Sequence, residues 1–287
     1  MMGHARTLAA GQECRVISYE MSTGLQKILH TSSTVLFEAP NWTPSGNLIV
    51  NGDGLLWNLP ADGSAPPRQI PLPDVPELNN DHVVYGDDVF LSANDGHLYR
   101  APLTGGAATK ITSASQWMHF LHGISPDGTT LAYVGLTPGA WSSGTLWTIG
   151  ADGTGNTPLT TGPGPDDGPE YSPDGDWIYF NTERFSPNAQ IARIHPDGTG
   201  LEQLTTDDRV NWFPHLPPAG DAVVYLSYPP GTRGHPADLT VELRLVTRGD
   251  WRHPRTLVTL PGGQGTINVN SWSPDGARFA YVDYPQS

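Results

Sequence analysis

Histidine, carboxylate and amide side chains recur just before a phrase that this sequence repeats, Ser-Pro-Asp-Gly. Burying a polar group costs free energy unless the group finds a hydrogen-bond partner. Such residues at equivalent places of several repeats therefore predict one shared polar pocket. The alternative is a water-filled channel whose polar groups bond only to solvent. The candidate ligand-binding residues come from these stretches and from one Gly-rich loop: Asn79, Asn80, Asp81, His82, His119, His122, Asp166, Asp167, Glu170, Trp212, His215, Gln264 and Asn268.

Four of these residues are candidates for moving protons to or from a substrate, namely His82, His122, Glu170 and His215. Imidazole and carboxylate groups are the usual general acids and bases of enzymes. The three histidines could instead hold one divalent metal ion, because imidazoles from different repeats can converge on one centre. Histidines that bond directly to ligand, water or backbone are the alternative. No complete catalytic set is recognisable, so the sequence leaves open whether the protein is an enzyme.

Two segments outside the repeated phrase are further candidates. The insertion 229–238 is longer than a hairpin needs, and it forms either a lid over the channel or decoration of the rim. The Gly-rich stretch 261–268 either presents Gln264 to a ligand or only connects two strands. Trp117 and Trp212 could stack on a sugar ring. An acidic sugar would need basic groups near the site, and the candidates are Arg209, Arg233 and Arg252.

A repeated unit of roughly 40–55 residues must position these side chains. The phrase is complete at Ser125–Gly128, Ser172–Gly175 and Ser273–Gly276, and degenerate at 43–46 and 217–220. The gap from Pro44 to Pro126 is about twice the others, which predicts a sixth copy near residue 85. The β-rich runs and Asp-Gly turns that follow are typical of four short antiparallel strands. Six such units predict an all-β fold, a six-bladed β-propeller with four-stranded blades.

The two ends of the chain are predicted to share the last blade. One strand follows Ser273–Gly276, and strands within about 12–30 supply the outer part of a blade completed by about 268–287. Residues 1–287 then form a single domain. Because a closed ring has no exposed sheet edges, we expect a monomer or a weak homo-oligomer.

The repeat resembles the TolB-like, WD40-like (PD40) propeller repeats. The shared features are Ser-Pro-Asp-Gly after an aromatic residue, Phe-x-Tyr at 279–281, Leu-Trp at 146–147, and Asp-Gly-Thr-Gly at 152–155 and 197–200. The resemblance covers nearly the whole chain and implies the propeller fold. Functions in this broad class range from binding platforms to peptidase accessory domains and lyases. Oligogalacturonate lyases, which are propellers of this type, use channel His and Gln residues around manganese, but that motif has no residue-by-residue match here.

Composition and charge exclude several classes of protein. The 33 Gly and 28 Pro residues exclude long helical bundles. A net charge of −14 repels nucleic-acid backbones and anionic membranes, so neither is expected as a partner. The single cysteine, Cys14, excludes an internal disulfide. Without a recognisable signal peptide or apolar span, the predicted location is the cytoplasm, or the periplasm if a leader has been removed.

The sequence favours a TolB-like propeller that binds a small polar ligand, such as a saccharide, or a peptide segment at the mouth of its channel. The alternative is a carbohydrate-active enzyme of lyase or hydrolase type, with a divalent metal as its candidate cofactor and the active site at the same mouth.

Overall fold

Antiparallel strands form nearly all of the regular structure. The computed structural model describes residues 5–113, 117–162 and 164–286. The strands within this part of the chain are β1 (Cys14–Glu20), β2 (Gln26–Ser32), β3 (Phe37–Trp42), β4 (Asn47–Gly52), β5 (Leu55–Pro60), β6 (Arg68–Ile70), β7 (Leu78–Tyr85), β8 (Asp88–Ala93), β9 (Leu98–Pro102), β10 (Thr109–Lys110), β11 (Met118–Ile124), β12 (Thr130–Leu136), β13 (Thr145–Gly150), β14 (Thr157–Pro158), β15 (Asp166–Tyr171), β16 (Ile178–Thr182), β17 (Gln190–Ile194), β18 (Glu202–Gln203), β19 (Val210–His215), β20 (Val223–Tyr228), β21 (Leu239–Val246), β22 (Arg255–Gly262) and β23 (Arg278–Asp283). One 3-10 turn, Trp141–Ser143, follows β12. In the described ranges no helix has the length and apolar character that a membrane crossing requires.

The strands form six antiparallel blades arranged as a ring, which confirms the predicted six-bladed β-propeller. Blades 1 to 5 are the four-stranded sheets β3–β6, β7–β10, β11–β14, β15–β18 and β19–β22. Blade 6 is the sheet β2-β1-β23, so both ends of the chain contribute to it, as predicted. The ladder between β1 and β23 pairs Val16 with Val282 and closes the ring through backbone hydrogen bonds.

An irregular segment, 266–272, takes the innermost position of blade 6. It contacts β23 through the Thr266 carbonyl, which accepts from Val282 N, and the Ser271 carbonyl, which accepts from Ala280 N. The side chains of Asn268 and Asn270 accept hydrogen bonds from the nearby backbone, at Gly265 N and Trp272 N. Side-chain bonds of this kind compete with a regular ladder, which explains why this fourth position is irregular.

The Ser-Pro-Asp-Gly turns are held by their own side chains. In the copy at 125–128, Ser125 Oγ donates to Asp127 at 2.6 Å and accepts from Thr130 N at 2.9 Å. Gly128 adopts a φ of 73°, a conformation that side chains disfavour. The copies at 172–175 and 273–276 repeat the Ser-to-Asp bond. The phrase is therefore a structural turn that leads from one strand to the next.

The hydrophobic core lies between neighbouring blades. Ile49 of blade 1 packs in one cluster with Val89 of blade 2. Val134 of blade 3 packs in another cluster with Phe180 of blade 4. Because the apolar faces are used in packing blade against blade, the innermost strands are free to present polar side chains to the channel.

The innermost strands of blades 1 to 5 all carry a shift in strand register, just before the turn phrase or its equivalent. Backbone φ is positive at equivalent positions of three of them: Ala39 (53°), Gly168 (62°) and Phe213 (52°). Bulges of this kind redirect the side chains next to them. Positive φ in alanine and phenylalanine is strained, and such strain concentrates at functional sites. The bulges therefore position the residues at the channel mouth.

Candidate functional site

A cavity of about 910 Å³ lies at the mouth of the channel, where the innermost strands begin. All six blades contribute residues to it. Small-molecule sites typically have volumes of about 300–1,000 Å³, so this cavity is large enough for an organic ligand. We refer to it as the channel-mouth cavity.

Nine of the thirteen predicted ligand-binding residues line the channel-mouth cavity. They are Asn79, Asn80, Asp81, His122, Asp166, Asp167, Trp212, Gln264 and Asn268. The carboxylate of Asp166 already has partners within the protein, because it forms a salt bridge with Arg184 and accepts hydrogen bonds from Thr160 and Thr182. The other eight belong to the same lining.

His122 lines the cavity between two carboxylates. Its Nε2 is 3.2 Å from Asp167 Oδ1 and 3.9 Å from Asp81 Oδ1, and its Nδ1 donates to the Asn268 carbonyl at 3.0 Å. Burial opposes the charged imidazolium, but Asp81 and Asp167 outweigh burial and raise the pKa of His122 to about 9. His122 is therefore a cation at neutral pH.

Asp81 is a carboxylate of the cavity whose pKa is strongly shifted. Burial raises its pKa to about 6, an effect that His122 opposes and the neighbouring Asp167 reinforces. The side chain of Asn79 accepts a hydrogen bond from Asp81 N at 2.9 Å and fixes the local backbone. Oδ1 of Asp81 has no hydrogen-bond partner within the described residues. A buried carboxylate with a vacant acceptor is suited to binding a donor or to exchanging a proton.

A second histidine, His235, reaches the cavity from the insertion 229–238. Its ring packs on Trp212 at a centroid distance of 4.3 Å, and its Nδ1 bonds to the Gln264 side chain. Its Nε2 is 3.7 Å from Asp167 Oδ2. Burial lowers the pKa of His235, so the ring is neutral beside the charged His122. Of the two interpretations of the insertion, the structure supports placement over the channel, and it also brings the Gly-rich loop there through Gln264.

The cavity also contains a guanidinium group that sequence reasoning missed. Arg6 donates to Glu38 at 2.8 Å and to the Gln264 carbonyl. Arg6 lies outside the repeats and so had no positional signal, whereas Glu38 stands in the polar stretch of the first repeat. The basic residues predicted near the mouth, Arg209, Arg233 and Arg252, do not line the cavity. Arg209 instead bonds to Ser227 and Glu242.

Four predicted ligand-binding residues do not line the cavity, namely His82, His119, Glu170 and His215. His82 is completely buried, and burial lowers its pKa to about 4. His119 bonds to the Gly96 carbonyl at 2.5 Å and packs against Tyr133. The register shifts account for these differences, because one extra residue turns the next side chain to the other face of a strand.

Glu170 and His215 form a buried hydrogen-bonded pair between blades 4 and 5. His215 Nδ1 is 2.5 Å from Glu170 Oε2, and Glu170 Oε1 accepts from Leu216 N and Asn270 Nδ2, both at 2.7 Å. The other ring nitrogen of His215 bonds to the Ile267 carbonyl. These bonds connect blades 4, 5 and 6. Their role is to hold the ring together.

The predicted histidine metal site does not form. Both nitrogens of His215 are engaged, and His82 lies in the core outside the cavity, so the two cannot join His122 around one ion. Within residues 5–113, 117–162 and 164–286, no group of three or more His, Cys, Asp or Glu side chains is arranged to hold a metal. Trp117, one of the predicted sugar-stacking residues, packs near Trp147 and does not line the cavity.

Several buried polar atoms that lack a hydrogen-bond partner among the described residues belong to residues that line the cavity. Four lining residues carry five such atoms: Asn51 Nδ2 and Oδ1, Asn79 Nδ2, Asp81 Oδ1 and Trp212 Nε1. Most buried polar groups in folded proteins are paired, and an unpaired one costs about 1–3 kcal/mol. A molecule bound beside these atoms would supply the missing partners.

We expect the substitution Asn51→Leu to stabilise the protein while weakening ligand binding. Asn51 is 3% exposed, and leucine has a similar shape but no polar atoms. The expected gain in unfolding free energy is about 1 kcal/mol, because two unpaired atoms are removed. Chemical denaturation measures this gain. Asn47→Leu, on the same strand β4 and outside the cavity, is the control, and a loss of stability in Asn51→Leu alone would contradict the expectation.

A closed six-bladed β-propeller with a polar cavity at one channel mouth is the class of protein that this geometry defines. The chain belongs to the TolB-like β-propeller family. It is 35% identical to a solved protein of Agrobacterium tumefaciens provisionally named TolB, with a TM-score of 0.89 over 96% of this chain and 99% of that one. It is also 40% identical over 258 residues to an uncharacterized protein of Agrobacterium fabrum, which covers 87% of this chain and 85% of the relative.

More distant similarity extends only to the fold. An oligogalacturonate lyase solved in complex with manganese is 16% identical, with a TM-score of 0.56 over 96% of this chain and 78% of the lyase. No family model matches the sequence.

Proposed function

We propose that this protein is a binding propeller that takes a small polar organic molecule in its channel-mouth cavity. The observation that carries the proposal is the set of unpaired polar atoms on Asn51, Asn79, Asp81 and Trp212, all of which line this one cavity. A ligand that pairs with these atoms recovers free energy that the unliganded protein forgoes.

The two sides of the cavity suit a ligand with one polar and one apolar face. Asparagine, aspartate and glutamine side chains from blades 1, 2, 4 and 6 offer hydrogen bonds, together with His122 of blade 3 and His235 of blade 5. Blade 3 contributes an apolar wall: Met118, Phe120, Val134, Leu136 and Trp141. Pockets that combine an apolar wall with a few convergent polar groups are typical of small-molecule sites. A saccharide or a short peptide segment has this combination of surfaces.

A second candidate function is catalysis at the same cavity. Asp81 and His122 have pKa values of about 6 and about 9, so their environments push two neighbouring titratable groups to either side of neutrality. Pairs of this kind assign a base and an acid in many enzymes. Asp81 would accept a proton and His122 would donate one. In that case Asp81→Asn abolishes turnover of a bound compound, whereas for a binding protein no compound is turned over at all.

A ligand screen with matched variants tests the proposed function. The screen measures the melting temperature of the wild type with a library of mono- and disaccharides, amino acids, short peptides and amines. A ligand at one hundred times its dissociation constant stabilises the folded state by about 2.7 kcal/mol, which the melting temperature detects. We expect Asn51→Leu to weaken any hit by about tenfold, since one hydrogen bond to a ligand is worth roughly that much. The Asn47→Leu control should bind normally. A library without hits, or hits that Asn51→Leu leaves unchanged, would contradict the proposal.

A further inference from the structure

We propose that the ligand is an organic cation in which a protonated amine is attached to an aromatic or aliphatic group. The inference rests on the proposed function, because it names the chemical class that the channel-mouth cavity selects.

Negative charge exceeds positive charge around the cavity. The lining residues of the described chain include six carboxylates: Glu38, Asp53, Asp81, Asp166, Asp167 and Glu183. Arg6 neutralises Glu38, and Arg184 neutralises Asp166. The single imidazolium of His122 is shared between Asp81 and Asp167. Asp53 and Glu183 form no ion pair within the described residues, so the cavity attracts cations and repels anions.

Asp81 supplies a specific place for the positive group. Asp81 lines the cavity, its side chain is 7% exposed, and its buried Oδ1 has no hydrogen-bond partner in the described part of the chain. The nearest cationic atom, His122 Nε2, is 3.9 Å away, beyond hydrogen-bond distance. A buried carboxylate needs a charged or hydrogen-bonding partner. An ammonium group provides both.

The apolar wall of blade 3 favours an organic cation over a bare metal ion as the ligand. Trp141 is 60% exposed, lies 5.8 Å from Phe120 between ring centroids, and lines the cavity together with Val134. A metal ion would leave this wall unused. An organic cation covers it with its apolar part, and aromatic faces near the positive group add attraction.

The experiment uses sets of three compounds that share a carbon skeleton and differ in one group. One set is 2-phenylethylamine, 2-phenylethanol and phenylacetate, and cyclohexyl and indolyl sets repeat the comparison. Binding to the wild-type protein is measured by isothermal titration calorimetry. We expect the amine to bind at least about tenfold more tightly than its alcohol and carboxylate, consistent with charge pairs in a partly buried site.

Three variants separate the contributions. Asp81→Asn should reduce the preference for the amine to about threefold or less, and Glu183→Gln should reduce it by a smaller factor, in line with the distance dependence of charge interactions. Asp74→Asn, which removes an exposed carboxylate outside the cavity, should leave the preference unchanged. If Asp81→Asn fails to fold, two other measurements test the inference. One is the amine preference of Glu183→Gln, and the other is the affinity of the wild type for the amine, which should fall at high salt.

The outcomes distinguish the inference from the proposed function. Alcohols or carboxylates that bind as tightly as the amines would overturn the inference and leave the proposed function intact. If no compound of these sets binds while the ligand screen finds uncharged compounds that bind, the inference is overturned and the proposed function stands. A library without any hit would overturn both.

Discussion

Replacing Glu170 with alanine is expected to lower the free energy of unfolding by about 3–5 kcal/mol, because three buried hydrogen bonds lose their acceptor and each unpaired group costs about 1–3 kcal/mol. Glu170 and His215 are 5% and 3% exposed, and Glu170 also accepts from Leu216 N and Asn270 Nδ2. The substitution removes the acceptor of three hydrogen bonds where blades 4, 5 and 6 meet, and only Asn270 Nδ2 keeps another acceptor, the Leu216 carbonyl. Urea denaturation followed by tryptophan fluorescence measures the loss.

An exposed ion pair provides the matched control for this prediction. Glu202 contacts Arg193 at 2.7 Å, but its side chain is 49% exposed. Glu202→Ala should change stability by less than about 1 kcal/mol, because solvent screens such pairs. If Glu170→Ala cost no more than Glu202→Ala, the buried pair would not be the connection between blades that its contacts indicate.

The stability contributed by His122 is expected to disappear as the pH rises through about 9. The pKa of this histidine is raised from 6.5 to about 9 in the folded protein by Asp81 and Asp167, against the effect of burial. In this pH window the folded state binds more protons than the unfolded state, so stability falls as pH increases. The full change is on the order of 3 kcal/mol, from 1.36 kcal/mol per unit of pKa shift.

Comparison of the wild type with His122→Gln isolates this contribution. Below pH 6.5 the stability difference between the two proteins should be at its largest, and it should shrink steadily between pH 7 and pH 9.5. His253→Gln, at an 80% exposed side chain, should follow the wild-type curve. A stability difference independent of pH would show that His122 is not charged between its two carboxylates.

Repetition made the fold predictable. The turn at 125–128 recurs because its serine, aspartate and glycine each perform a fixed local task, and local chemistry of this kind can be read without a structure. The shared last blade was predictable for the same reason, since one strand after residue 276 required partners from elsewhere. The irregular segment 266–272 was not, because its form depends on how Asn268 and Asn270 capture nearby backbone groups.

The site was predictable only in outline. The position before each turn pointed to Asp81, His122 and Asp167, which line the channel-mouth cavity. It could not separate His122 from His82, because the register shifts decide which side chain faces the channel and which enters the core. Arg6 could not be predicted from the sequence, because it lies outside the repeats and no periodicity places it at the cavity.

A crystal structure of the protein with the tightest-binding compound of the library most directly tests whether the channel-mouth cavity is the ligand site. We predict that the compound lies in this cavity with a donor at hydrogen-bond distance from Asp81 Oδ1 and its apolar part against Phe120 and Trp141. A compound found only on the outer rim or between molecules, with the cavity containing water alone, would contradict this prediction.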